Sequence, residues 1–277
     1  MSASHLHELQ RRLKPPLAHG AAVLVTVQQA QGSAPREEGA WMAVFADTVL
    51  NTLGGGHLEF DAIALARRCL LEPQAAEAIL PQVRRYALGP SLGQCCGGVV
   101  HLRFERLEGA LDPDRVDVLR LPAHPMALFG GGHVGKALVQ LLGTLPMDVL
   151  WVDSRDGIFP ERVPDNVRCE HSEPVQDAVA DLAPGSAVVV MSFSHAEDLD
   201  IIHACLKRQR ERADLPYIGL IGSRTKWATF SRRLRERGFT DAELGHITCP
   251  IGVPGIAGKA PEVVAVAVAA QLLQHTS

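Results

Sequence analysis

The sequence predicts a two-domain α/β chain, with a smaller α/β domain over 1–108, a connection over 109–125 and a doubly wound parallel sheet over 126–277. Three observations carry this reading. From residue 126 onward, short apolar runs alternate with helical stripes, the order that builds a parallel sheet covered on both faces. The first hundred residues instead hold short β-branched runs, separated by glycine-containing loops, with one clear helical stripe among them. Between the two, EGALDPDRVDVLRLPAHP is rich in Pro and Asp and lacks a long periodic run. A length of 277 residues, at about 150 per domain, lets each half bury its own core.

The first half opens on a helix at 4–12, stopped where Pro15 and Pro16 cannot continue it. Strands are expected at 21–27 and 41–45 around the loop GSAPREEG, and at 83–88 and 99–104 around the loop GPSLGQCCGG. The turn NTLGGG opens a helix at 57–71, whose stripe is Leu58, Ile63, Leu65, Ala66 and Leu70. In the second half, MALFGGGHVGKALVQLLGTLPMDVLWVDSRD reads as strand, glycine loop, helix and strand, a βαβ unit. The alternation continues with a helix at 174–182, a strand at 187–191, a helix at 198–210, a strand at 217–221 and helices at 226–237 and 261–274.

Composition narrows the function classes. Hydrophobic residues make up 47% and charged residues 21%, with a mean hydropathy of +0.07, as in an ordinary globular chain. A net charge of -4 disfavours nucleic acid. The one basic stretch, SRRLRERG, reads as a solvated helix face. No apolar run approaches the roughly 20 residues of a membrane span, and the start lacks the apolar core of a secretory signal, so a cytoplasmic protein is expected. The six cysteines form no CxxC element and are expected to be reduced, with Cys69, Cys169 and Cys205 as small core residues. Twelve histidines show no zinc spacing.

Gly130, Gly132 and Gly135 form a GxGxxG that follows a strand and opens a helix, and Asp153 ends the next strand about 18 residues on. This is the fingerprint of a Rossmann domain. Gly130 permits the tight turn, Gly132 lets a phosphate approach the backbone, Gly135 lets helix and strand pack, and Asp153 would accept from a ribose hydroxyl. Asp153 favours NAD over its 2′-phosphorylated form, while Arg155 weakens that preference. His195 follows a strand at the carboxyl edge, as an acid, base or ligand, or as an ordinary loop residue. Cys95 and Cys96 are candidate ligands for a soft metal or for sulfur chemistry, or a pair of small loop residues. Arg36 is a candidate anion ligand.

Taken together, GSAPREEGAWM, GGGHLEFDAIALAR, GQCCGG, FGGGHVGKAL, WVDSRDGIFP, YIGLIGSRTK and TCPIGVPGIAGKAPEVVAVAVAAQLL resemble the XdhC family of xanthine dehydrogenase accessory proteins, from about residue 20 to the end. The resemblance implies an N-terminal XdhC-type domain, a C-terminal Rossmann domain and a homodimer. It implies a chaperone, not an independent catalyst, that binds the molybdenum cofactor (molybdopterin), protects it during sulfuration and delivers it to xanthine dehydrogenase or a related molybdenum hydroxylase. A cysteine desulfurase would be the other partner. Such a carrier needs an anion site, for which the glycine loops (Gly54, Gly55 and Gly56 in the first half) and Arg36 are suited, and a shield for a soft metal, for which Cys95 and Cys96 are suited. One departure is Phe193 in SFSH, where relatives carry a second histidine; His195 and Asp198 remain. The rival expectations are an NAD-dependent oxidoreductase and a nucleotide-sensing regulatory protein.

Overall fold

The computed structural model describes residues 20–72, 80–88, 97–108 and 123–275, which fall into two compact units, 20–108 and 123–275. The helix expected at 4–12, most of the expected connection at 109–125, and both Cys95 and Cys96 lie outside the described residues.

Strands of the first unit are β1 (Ala22–Gln31), β2 (Trp41–Val44), β3 (Val49–Asn51), β4 (Gln82–Ala87) and β5 (Val99–Leu107). They form one antiparallel sheet in the order β3-β2-β1-β5-β4. Among the described residues one helix, α1 (Gly56–Leu71), lays Leu58, Ala62, Leu65 and Ala66 on Val23, Val25, Met42, Leu102 and Phe104. The opposite face gathers Ala22, Leu24, Trp41, Ala43, Phe45 and Leu107. Burial on both faces explains why AVLVTV reads as a continuous apolar run rather than an alternating one. β1 runs four residues past its expected end at 27, because polar Gln29 to Gln31 still pair with β5 beyond a bulge at Val27/Gln29. β3, which was not expected, is three residues long and too short to show a period.

The second unit contains β6 (His124–Phe129), α2 (His133–Leu142), β7 (Met147–Asp153), β8 (Val167–His171), a 3-10 helix (Val175–Asp181), β9 (Ala187–Val190), α3 (His195–Arg212), β10 (Tyr217–Leu220), α4 (Arg224–Glu236), α5 (Asp241–Leu244), β11 (Ile247–Thr248) and α6 (Pro261–His275). Its six strands are all parallel, in the order β11-β10-β9-β6-β7-β8. Leu138, Leu142, Val268 and Leu272 of α2 and α6 pack on one face, while the 3-10 helix, α3 and α4 cover the other. This is the doubly wound Rossmann arrangement the glycine fingerprint predicts. Its strand order reverses between β6 and β9, which puts the ligand crevice of such folds at their carboxyl ends.

Side-chain caps set the helix starts. Ser194 accepts from the Glu197 amide (3.2 Å), Ser223 from the Lys226 amide (3.1 Å), and Thr240 forms a capping box with Glu243. The stretch expected as a helix at 174–182 winds as a 3-10 helix instead. The carbonyls at its end are taken by buried Arg208, which donates to Val179 O (2.8 Å) and Leu182 O (2.7 Å) as well as to Asp214. β8 was not expected, because only Val167 of this edge strand is buried. For the same reason Cys169 is exposed, which corrects its reading as a core residue. Cys69 and Cys205 are buried as expected, and burial pushes the Cys205 thiol up to about 12.

Candidate functional site

Three loops meet at one end of the first sheet. A Cβ on Gly54 (φ +101°) would lie 2.6 Å from Pro35 Cβ, so the 52–55 turn packs on the 32–39 loop. A Cβ on Gly98 would lie 2.4 Å from Ser33 O, which brings the end of the GPSLGQCCGG loop to the same place. Arg36 ties two of them together: Nη1 donates to Thr52 O (3.4 Å), and Nε and Nη2 donate to the Glu37 carboxylate at 3.3 and 3.0 Å. It is one-quarter exposed, so its charge is largely spent locally.

Glu59, which sequence reasoning passed over, decides the chemistry of this loop. Its Oε2 accepts from Thr52 Oγ1 (2.5 Å), the Leu53 amide (2.7 Å) and the Gly55 amide (3.1 Å). Burial works against the ionised form, but these hydrogen bonds outweigh it and hold the carboxyl below its ordinary value. The helix's own carboxylate therefore fills the cradle. Gly54, Gly55 and Gly56 shape the turn and the helix start rather than offering an open anion site, a correction to their expected role. An acidic residue in the first turn was the sequence signal for it.

The second glycine loop differs. A Cβ on Gly130 (φ +125°) would lie 2.0 Å from Met191 O, and one on Gly135 would lie 2.1 Å from Gly130 O, so both positions admit only glycine. Trp151 Nε1 donates to Gly130 O (2.9 Å). Gly132 meets nothing within 4 Å. It caps α2, which has neither a side-chain cap nor an acidic residue in its first turn. The first-turn amides and positive dipole end of this helix thus have no side-chain cap and no acidic residue of their own turn.

Asp153 is buried, 2% exposed, at the end of β7. Oδ2 accepts from the Gly131 amide (2.5 Å) and Arg155 Nη2 (2.8 Å), and Oδ1 from Arg155 N and Nε, both at 2.9 Å. Burial opposes its charge, yet the bonds from Arg155 and Gly131 prevail and keep it below the usual carboxylate range. Each oxygen already has two donors. The expected acceptor for a ribose hydroxyl is instead a latch that fixes the glycine loop, a second correction.

Past β9, Asp198 Oδ1 accepts from Ser192 N (2.9 Å) and Oγ (2.8 Å), and Oδ2 accepts from Lys226 Nζ (2.5 Å), which also donates to Ile221 O (2.7 Å). This buried pair braces the loop against Gly130; Lys226 had no sequence signal. His195 lies at the carboxyl edge as expected, but as the exposed first residue of α3, its ring edge-on to Phe230. Arg155 stacks on the ring of Phe193, 4.6 Å from its centroid, and Ser154 Oγ donates to Glu197 (2.7 Å). A cavity of about 590 Å³ lies elsewhere, between the 3-10 helix and α3, lined by Asp177, His203 and Lys207 among others. Among the described residues no group of three or more His, Cys, Asp or Glu could hold a metal, and no helix is long and apolar enough to cross a membrane.

Residues 126–272 match the family model of the XdhC Rossmann domain, and residues 17–86 match that of the XdhC and CoxI family. An uncharacterized protein of Escherichia coli, YqeB, is 27% identical over 255 residues, 91% of this chain. The chain spans 43% of that relative's length. A crystal structure described as a xanthine dehydrogenase from Bacillus halodurans is 21% identical and shares the fold over all of this chain and 96% of its own, with a TM-score of 0.75.

Proposed function

The chain belongs to the XdhC family, and from that premise we propose that it is an accessory protein that binds the molybdenum cofactor, shields it during sulfuration and hands it to xanthine dehydrogenase or a related molybdenum hydroxylase. A cysteine desulfurase is the second partner in this reading, and the working form is a homodimer. The observation that supports it is the N-terminus of α2, which has no carboxylate in its own first turn and leaves Gly132 open, while the other glycine loop is filled by Glu59.

A phosphate ester suits that opening. Gly132 leaves room for close approach, the amides at the start of α2 donate to the phosphate, and Asp153 keeps the loop in place through Gly131. The cargo contributes a molybdenum centre whose terminal oxygen is exchanged for sulfur; Cys95 and Cys96 are the thiols proposed to face it. In sequence both immediately precede Gly97 and Gly98, and a Cβ on Gly98 would lie against Ser33 O.

The test is anaerobic mixing of the protein with molybdenum cofactor, gel filtration, and transfer to an apo hydroxylase. Co-elution followed by activation of the client is expected. Gly132→Asp puts a carboxylate into open space at the α2 cap, and is expected to cut cofactor retention at least about tenfold while the fold persists. Wild-type protein that neither retains nor transfers the cofactor rejects the proposal.

A further inference from the structure

Two of the three glycines between β6 and α2 are covered. Gly130 and Gly131 are buried, whereas Gly132 meets nothing within 4 Å. Gly131 is not a fingerprint position, and a Cβ there would lie 2.7 Å from Ile158 Cγ1 and 3.2 Å from Asp153 Oδ2, so the Ile158 side chain sits directly on the glycine run. It arrives there on the segment that follows β7. Gly157 (φ +64°) turns that segment back, and Phe159 anchors its far end edge-on to fully buried Trp151, with 5.1 Å between ring centroids. At its near end His171 Nε2 lies 3.0 Å from Ser154 O.

β6 lies between β7 and β9 in the sheet, so a contact from the loop after β7 to the loop after β9 reaches across the end of β6, where the glycine run begins. Two contacts do this. Ser154 Oγ donates to Glu197 in the first turn of α3 (2.7 Å), and the Arg155 guanidinium stands 4.6 Å from the centre of the Phe193 ring. Both lie at the surface, with Phe193 66% exposed, and surface ionic and cation–π contacts are weak enough to be released. Beneath them the linkage is firm. Arg155 donates three hydrogen bonds to Asp153, which is buried and accepts from the Gly131 amide. Phe193 is thereby joined to the glycine run through Arg155 and Asp153.

We infer that residues 154–158 form a strap that closes the first two glycines and is latched on the opposite lip by Glu197 and Phe193, so that the crevice opens by unlatching side chains while the sheet stays still. Anything that spans the two lips has to part both contacts first. Access alone is at issue, whatever the crevice admits, and the strap stands or falls apart from the accessory role.

Amide hydrogen exchange of the full chain, read residue by residue, tests the strap without any ligand. The Gly131 amide is expected to be protected in wild type, and Ser154→Ala combined with Phe193→Ala to speed its exchange at least about fivefold, with β9 amides and the urea midpoint unchanged. Phe193→Tyr, which keeps a ring under the guanidinium, is expected to exchange as wild type. Ile158→Ala, which removes the cover and leaves the latch, is expected to speed exchange at Gly131 as well. Unchanged exchange at Gly131 in the double variant or in Ile158→Ala overturns the strap. So does equal acceleration at Gly131 and in β9, which is a loss of stability throughout the unit, or a Gly131 amide that exchanges in wild type at the rate of an unprotected one. Failed cofactor retention rejects the chaperone proposal and leaves these outcomes untouched.

Discussion

Residues 54–57 and 130–133 spell the same GGGH at the start of a helix, yet one stretch is closed and the other open. In the first, Glu59 of the same helix turns back to accept from Leu53, Gly55 and Thr52. In the second, a carboxylate comes from β7, and Asp153 takes the Gly131 amide of the glycine run and three donors of Arg155, leaving Gly132 facing open space. Glycine runs before helices expose donors; the position of the nearest carboxylate decides whether a ligand can reach them.

The largest expected effect is at Gly130. Gly130→Ala forces a Cβ into Met191 O and an unfavourable φ, and is expected to cost at least ~3 kcal/mol of unfolding free energy in urea titrations. Gly132→Ala, with nothing within 4 Å, is expected to stay within about 1 kcal/mol of wild type. Equal losses at both positions would mean that backbone approach does not separate them.

Next comes Glu59→Ala, which strips the first cradle of its internal anion and leaves two amides and a hydroxyl without their acceptor. A loss of about 1–3 kcal/mol is expected, with inorganic phosphate raising the melting temperature of the variant more than that of wild type. If phosphate shifts both proteins equally, the two GGGH loops are not equivalent cradles.

The smallest effect is one of pH. Because the Glu59 carboxyl is held below its ordinary value of 4.5, its contribution is fully present above that pH and is lost as pH falls through the depressed folded value. The melting-temperature gap between wild type and Glu59→Gln should therefore be constant near neutrality and close below 4.5. A gap unchanged at acid pH would show that the carboxylate charge is not what fills the loop.

Much of the fold was legible because it rests on local pattern. The GxGxxG, the apolar strands around it and the stripes of α2 and α3 placed the Rossmann unit and its crevice. Missed elements were those without a period: β3 and β11 are too short, and β8 buries one residue of five. Cys169 was misplaced with its strand. Among the site residues, Gly130 and Gly135 carry the packing roles read from the motif. Glu59, Lys226 and the Arg155–Phe193 stack were not read, since each acts through a partner that the spacing alone does not name.

By itself the sequence determined which segments become strands and helices, where glycine is obligatory, and the family, because these depend on residue type and short-range order. Only the tertiary structure decided which glycine loop stays open and that Asp153 is already occupied. In the second unit the outcome depends on partners distant in sequence: Asp153 meets Gly131 across 22 positions of chain, and Lys226 meets Asp198 across 28. Hydrogen-bond donors are local, but their acceptors are delivered by the fold.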